Sequence, residues 1–372
     1  MFQKGGIAWT ALLPGIGHAS PVVANGRVYA MSADETTGTR FLTCLDLVRG
    51  ERLWQVPIAY PIHHHHDFNA AASSTPVVHD GRVFVLLPSP ETFRVMGFDL
   101  RGNRLWERDL GSYPTQHGGG QSPIAHRGRL LFSVEPDQGD GAILALDCRT
   151  GRTVWRRASS SKDAPYASPF VRRGWDGREE IIFLSTAAGL LALDPDTGRD
   201  RWQCSDLFRL RCVGSPIEIA GVLVATSGNG GGDRLAVGVR PPSRERREPE
   251  VLWRLRRGTS YVPTPLSTPH GLLFWTDAGV AHMANPQSGE TIWQERLSST
   301  TFSSPILVDD RVWCISASGE LVSFVAGSEP PRTVDRMKFD GPAHATPAVA
   351  SGRFLLRAAD RLHCLAGASA AR

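Results

Sequence analysis

Apolar residues along this chain fall in short runs of four to six, separated by glycine-, proline- and aspartate-rich turns, as in Ile181-Ile182-Phe183-Leu184. Runs of that length, bounded by turn residues, predict strands. No stretch longer than about two turns keeps the i, i+3, i+4, i+7 spacing of an amphipathic helix, so helix is expected to be nearly absent. The runs are periodic. A Ser/Thr-Pro pair followed by apolar residues recurs at Ser20, Thr75, Ser122, Ser168, Ser215, Thr264, Ser304 and Thr346, with spacings of 55, 47, 46, 47, 49, 40 and 42 residues. After each pair comes a turn and a β-rich run, such as Asn25-Gly26-Arg27-Val28-Tyr29. A third element closes the unit: an apolar strand ending in Leu-Asp, a glycine turn, then a strand bearing tryptophan. Leu146-Asp147-Cys148-Arg149-Thr150-Gly151-Arg152-Thr153-Val154-Trp155 is a good copy, and Leu193 to Trp202 is another. Aspartate can accept the backbone N–H groups that hold such a turn, and glycine supplies its positive φ.

Each unit therefore reads as four antiparallel strands, A to D. Ser/Thr-Pro opens A, where proline costs no ladder bond, and tryptophan sits in D. Seven of the ten tryptophans (Trp9, Trp54, Trp106, Trp155, Trp202, Trp253 and Trp293) take that place, whereas blade seven has Val334 near it. Rings repeating there should pack between neighbouring sheets. The 26 residues after Thr346 supply strands A to C of an eighth unit, and the first 20 begin with an unpaired D-type strand, Gly6-Ile7-Ala8-Trp9. Together they make one period. The expectation is an all-β, eight-bladed β-propeller of four-stranded antiparallel blades over residues 1–372 as one domain, closed by the N-terminal strand completing the last blade.

Composition changes this picture little. The formal charge is +4, a weak case for nucleic acid. The densest basic run, Arg244 to Arg247, is interrupted by Glu245 and followed by Glu248 and Glu250, and reads as a solvated mixed-sign loop. None of the six cysteines is adjacent to another or in a CxxC spacing, which removes zinc-knuckle and c-type haem readings. Cys44 and Cys364 stand where other repeats carry Ala145 and Ala192, as small buried residues. Cys204 and Cys212 are left open as a pair. No apolar run reaches about 18 residues, so no transmembrane segment is expected. Without a signal-like start, the chain as written is expected in the cytoplasm.

The Leu-Asp-x-x-Thr-Gly-x-x-x-Trp unit resembles the tryptophan-docking repeat of pyrroloquinoline-quinone (PQQ)-type propellers, over essentially the whole chain. The pattern of bacterial PQQ-like repeat proteins is visible in His66-Asp67-Phe68-Asn69 leading to Thr75-Pro76, in Gln116 to Pro123, and in Thr291 to Leu297. More distantly, the chain is similar to the propeller lipoprotein that assists outer-membrane protein assembly, although no lipobox cysteine stands near residue 20. That resemblance implies export to the periplasm and a protein or peptide partner. The quinoprotein alcohol dehydrogenases of this fold are longer and hold PQQ over the channel with calcium, a stacking tryptophan and, commonly, adjacent cysteines. Here no catalytic aspartate or glutamate maps onto a matching position, so no cofactor is expected, and a non-catalytic binding or scaffolding propeller, a monomer, is preferred to a PQQ-dependent dehydrogenase.

Two glycine- or aspartate-rich segments carry little chemistry. Gly228 to Asp233 has no helix after it to receive a phosphate. Asp137-Gln138-Gly139-Asp140-Gly141 lacks the spacing and terminal glutamate of a calcium loop, and no Gly-x-Ser-x-Gly elbow occurs. The histidines are more informative. His18, His63 to His66, His117 and His344 all precede a Ser/Thr-Pro, which places them in D-to-A connections of contiguous blades on one face. A ligand site there would use His18, His66, Asn69, His117 and His344. Metal is an alternative, because three converging imidazoles suffice for zinc, copper or nickel. His63 to His65 read as a solvated run.

Overall fold

A computed structural model describes residues 6–137 and 139–367 of the chain. Met1 to Gly5, Gln138 of the aspartate-rich loop, and residues 368–372 lie outside the described residues. Among those described, every regular element is a strand. The strands form eight four-stranded antiparallel sheets. Blade one shows the plan: A is Val22–Ala24, B Arg27–Ala33, C Arg40–Asp46 and D Arg52–Ile58, each hydrogen-bonded to the next. The eighth blade pairs Ala348–Ala350, Arg353–Ala358 and Arg361–Ala366 with the N-terminal strand Ile7–Leu12. Thr10 lies opposite His363 in that last ladder, and its hydroxyl meets the imidazole Nδ1 at 3.0 Å. Closure by the first strand is as the sequence requires.

Strands B and C are buried on both faces because each sheet is covered by two neighbours. The core is correspondingly divided into eight apolar clusters, each straddling one junction; Met31, Leu42 and Cys44 of blade one, for example, pack on Val83, Val85 and Phe98 of blade two.

The tryptophans explain most of the repeat. Strand C loses register with strand D just before each one, so that Cys44 faces Trp54 while Leu45 faces Arg52, and Leu53 is left over. Such a bulge re-aims the following side chain. The leftover residue points out, and Leu53, Leu105, Val154 and Ile292 are all exposed. The indole swings inward to the next blade. Its N–H donates to a turn carbonyl there: Trp9 to Leu47, Trp54 to Leu100, Trp106 to Cys148, Trp155 to Pro195, Trp253 to Pro286 and Trp293 to Gly327, all at 2.9–3.1 Å. The turn glycine then lies on the ring. A Cβ on Gly151 (φ +69°) would stand 2.6 Å from Trp106. Glycine is thus needed twice, for its φ and for the indole. On strand C the residue facing the ring is usually small, and Cys44 and Cys364 hold that place. Both are fully buried, and all six cysteines are free thiols, Cys204 and Cys212 included.

The D strand of blade seven, Asp335–Lys338, has neither tryptophan nor bulge. The physical reason is closure: its ring would dock on the C-to-D turn of blade eight, whose D strand comes from the other end of the chain.

Candidate functional site

The A strands are short, mostly three residues, and line the channel. In six of the eight blades the Ser/Thr that opens the strand has a second use. Its hydroxyl accepts the backbone N–H of the equivalent Ser/Thr one blade earlier: Ser20 N–H to Thr75, Thr75 to Ser122, Ser168 to Ser215, Ser215 to Thr264, Thr264 to Ser304 and Ser304 to Thr346, at 2.9–3.0 Å. The links run one way around the ring and hold the D-to-A connections at a fixed height.

Those connections surround a cavity of about 590 Å³ at the channel mouth. Counting two residues back from each Ser/Thr gives one wall residue per blade: His18, Ser73, Gly120, Tyr166, Val213, Val262, Phe302 and His344 all line it. His66, Asn69 and His117 line it as well. The structure therefore brings the five singled-out residues to one mouth, on the face where their connections were expected.

They meet as two pairs. His344 Nδ1 lies 2.8 Å from His18 Nε2, one ring donating and the other accepting. Burial, then His344 and the Arg357 cation, push His18 down to about 3, and burial lowers His344. Both are neutral at ordinary pH. Arg357, itself buried, donates to the Gly15 and Met31 carbonyls beneath and so fixes the connection carrying His18. His66 and His117 stack at 4.9 Å. Arg211 Nη2 lies 3.3 Å from His117 Nδ1, and since arginine only donates, His117 carries its proton on Nε2. Burial first, then Arg211 and His66, keep it below its usual pKa. Asn69 is a tie rather than a free ligand group. Its amide donates to the His117 and Gly119 carbonyls, and its oxygen accepts the N–H of Ala70.

The metal alternative needs three donors at one point, and among the described residues no group of three or more His, Cys, Asp or Glu side chains converges. The histidine run is also less free than expected: His65 pairs with Glu35 at 3.1 Å and His63 with the Pro61 carbonyl at 3.2 Å.

Several contributors were not anticipated. Phe68 sits in the connection 59–76, the insertion behind the 55-residue spacing. Its ring lies 5.3 Å from Phe302, which precedes blade seven, so this loop crosses the mouth. Phe302 meets His344 at 5.1 Å and Phe68 meets His66 at 5.4 Å. An unbroken chain of six aromatic rings thus runs from His117 to His18. Behind it, Arg211 bonds the Ala164 carbonyl, pairs with Asp137 at 3.2 Å and lies over Tyr166. Tyr166 and Phe302 could have been found by the two-back rule.

A quinone cofactor would need an indole to stack on and carboxylates for calcium and a base. The cavity lining contains no tryptophan and no cysteine, and its acidic residue, Asp277, accepts the N–H groups of Tyr261 and Val262 and pairs with Arg234 at 3.2 Å. These residues do not fit the group.

A family model described as outer membrane protein assembly factor BamB matches residues 2–118 and, in an overlapping second match, 44–230. Between them the matches take in more than half of the chain. The chain belongs to this PQQ-like propeller family. Like other BamB-type propellers it is a repeat ring. It is 30% identical over 142 residues to a 1-butanol dehydrogenase (quinone) of Thauera butanivorans, covering 34% of this chain and 22% of that one; the chain spans about a fifth of the length of the curated relatives it matches. Among solved structures it is similar to BamB from Moraxella catarrhalis, with a TM-score of 0.71, 14% identity, and 97% and 99% of the two chains covered. It is also similar to the quinohemoprotein alcohol dehydrogenase of Comamonas testosteroni, with a TM-score of 0.64, 13% identity, and 96% and 76% covered. At such identities the likeness is one of fold. No helix among the described residues is long and apolar enough to cross a membrane.

Proposed function

We propose that this member of the BamB-type family is a non-catalytic binding propeller whose histidine face docks a loop or extended segment of a partner protein. The carrying observation is the make-up of the mouth: aromatic and imidazole rings above a hydroxyl collar, with Asp277 already committed to structural bonds. A wall of that kind takes an apolar or aromatic side chain and the backbone around it. Phe68, 64% exposed over the cavity, is the anchor. The protein works in the bacterial periplasm in outer-membrane protein assembly, the process named in the family's description.

The test is selection of displayed peptides on the full-length protein. Binders from the wild type are expected to lose about tenfold or more on Phe68→Ala/Phe302→Ala, as for central aromatic anchors, and to keep their affinity for a Val154→Ser rim variant. In parallel, protein mixed with PQQ and calcium is desalted and assayed for dye reduction with 1-butanol. Stoichiometric quinone retention with turnover would overturn the binding reading in favour of a dehydrogenase.

A further inference from the structure

The repeat is regular enough that its breaks can be mapped, and three of them meet at one place. The first is the A-to-B connection of blade four, Gly174 to Arg178, five residues long where the other blades have two; it carries Trp175, 45% exposed. The second is Trp202. Among the described residues it is the one D-strand tryptophan that bonds no turn of the next blade, and its N–H donates instead to Glu180 of its own blade at 3.1 Å. The third is the C-to-D connection of blade five, Pro241 to Pro249, which replaces the Asp-x-x-Thr-Gly turn that would have covered Trp202. It is the mixed-sign run, and it is not simply solvated: the Arg247 guanidinium lies 4.5 Å over the Trp175 ring. Together these segments wall a cleft of about 620 Å³. A-to-B and C-to-D connections lie on the face opposite the histidines. Departures from a repeat that gather in space mark binding surfaces.

The charges around the cleft are unequal in what they have left to bind. Glu180, buried at its floor, is held by Arg172, by Arg201 at 3.3 Å and by the Trp202 indole. Arg201 also pairs with Asp176, and Arg157 with Asp200. Asp194 accepts the N–H groups of Asp196 and Thr197. Arg178, Arg199 and Arg247 border the same cleft, are exposed, and make no ion pair among the described residues, although Arg178 lies near enough to Asp176 to help hold that carboxyl down. Of the lining acids, Asp194 and Glu248 make no ion pair among the described residues, and Asp194 is already held by its turn. The mouth thus offers three guanidinium groups outside any ion pair, beside an indole that Arg247 covers on one face.

We propose that this cleft is a second docking site, which takes an extended acidic segment of a partner protein, its carboxylates on Arg178, Arg199 and Arg247 and a ring or proline on Trp175. Arginine forks suit carboxylates, and an indole face suits flat apolar groups. The site lies on the other face from the histidine mouth, so the two readings stand or fall separately.

The probe is a fluorescein-labelled decapeptide of eight glutamates around a central Phe-Pro, titrated into the full-length protein by anisotropy. Expected are saturable binding, a loss of about tenfold in Arg199→Glu/Arg247→Glu and about fivefold in Trp175→Ala, and weakening of several-fold from 50 to 300 mM salt, as for a charge-steered contact. Arg199→Gln/Arg247→Gln, checked for an unchanged melting curve, should lose affinity in the same direction. Phe68→Ala should change nothing. No binding, or equal loss in Phe68→Ala, overturns the proposal. So does an oligothymidine that binds as tightly and with the same variant pattern, since the cleft would then be a phosphate site.

Discussion

Replacing Glu135 by glutamine should make the protein more stable, and only at higher pH. Glu135 follows strand B of blade three and is 2% exposed. Its carboxyl meets the Ser159 hydroxyl, and burial pushes it up from 4.5 to about 7 despite that bond. Native Glu135 therefore keeps a proton that the unfolded chain gives up once the pH passes 4.5. Stability falls as pH rises from about 4.5 through about 7, then levels off. Each pKa unit is worth about 1.4 kcal/mol, so the whole window amounts to about 3 kcal/mol. Glutamine keeps the shape and the acceptor for Ser159 without the charge. In urea titrations with refolding verified at pH 5, 6, 7 and 8, the variant should lie within about 1 kcal/mol of wild type at pH 5 and about 3 kcal/mol above it at pH 8. The neutral histidines His18, His117, His282 and His363, whose values burial depresses, act in the opposite direction. They are common to both proteins and cancel in the difference. A gap that stays constant across this range would refute the reasoning, for then Glu135 holds no extra proton in the native state.

Two further outcomes follow from the fold. Gly151→Ala and Gly81→Ala meet nearly the same φ, +69° and +70°, but only the first drives a Cβ into an indole; the first should cost about 1–3 kcal/mol more, and equal losses in denaturant midpoint would dismiss the glycine–tryptophan clasp. Removing residues 1–15 takes away the strand Ile7–Leu12 and should lower the melting temperature by on the order of 10 °C or more, with recovery when a peptide of residues 6–16 is added. Failure of that peptide to restore the melting point would argue against the shared blade.

The blade count, the strand order and the closure were legible because they rest on local signals repeated eight times: a proline that cannot sit mid-ladder, a turn aspartate, a ring in the last strand. The histidine mouth was legible as far as connectivity goes. What each side chain does there was not. Asn69 fits either a loop tie or a polar-ligand group by sequence, and it ties two loops; the run ending at His65 looked solvated but is pinned to Glu35, because those partners come from residues about 30 to 50 positions away. Phe68 was visible as an insertion in the spacing, yet its reach to Phe302 depends on the curvature of the ring. The Arg244 to Arg247 run is mixed in sign, and sequence could not tell that Arg247 would find Trp175 on the preceding blade. Serine and threonine before proline were read as strand openers. Their hydroxyls turn out to link neighbours, a role that exists only once the ring is closed.

The distribution of indole clasps has a mechanical consequence. Six of the eight junctions have one, and the two without it, between blades four and five and between seven and eight, divide the circle into unequal arcs. Blades five, six and seven form the short arc, and eight through four the long one. A ring bends where its fasteners are missing, so strain or heat should hinge the molecule along these two seams before any single blade frays. Phe68 rides on the long arc and Phe302 on the short one. The contact between them spans the opening like a gauge, and its length reports how far the two arcs have turned.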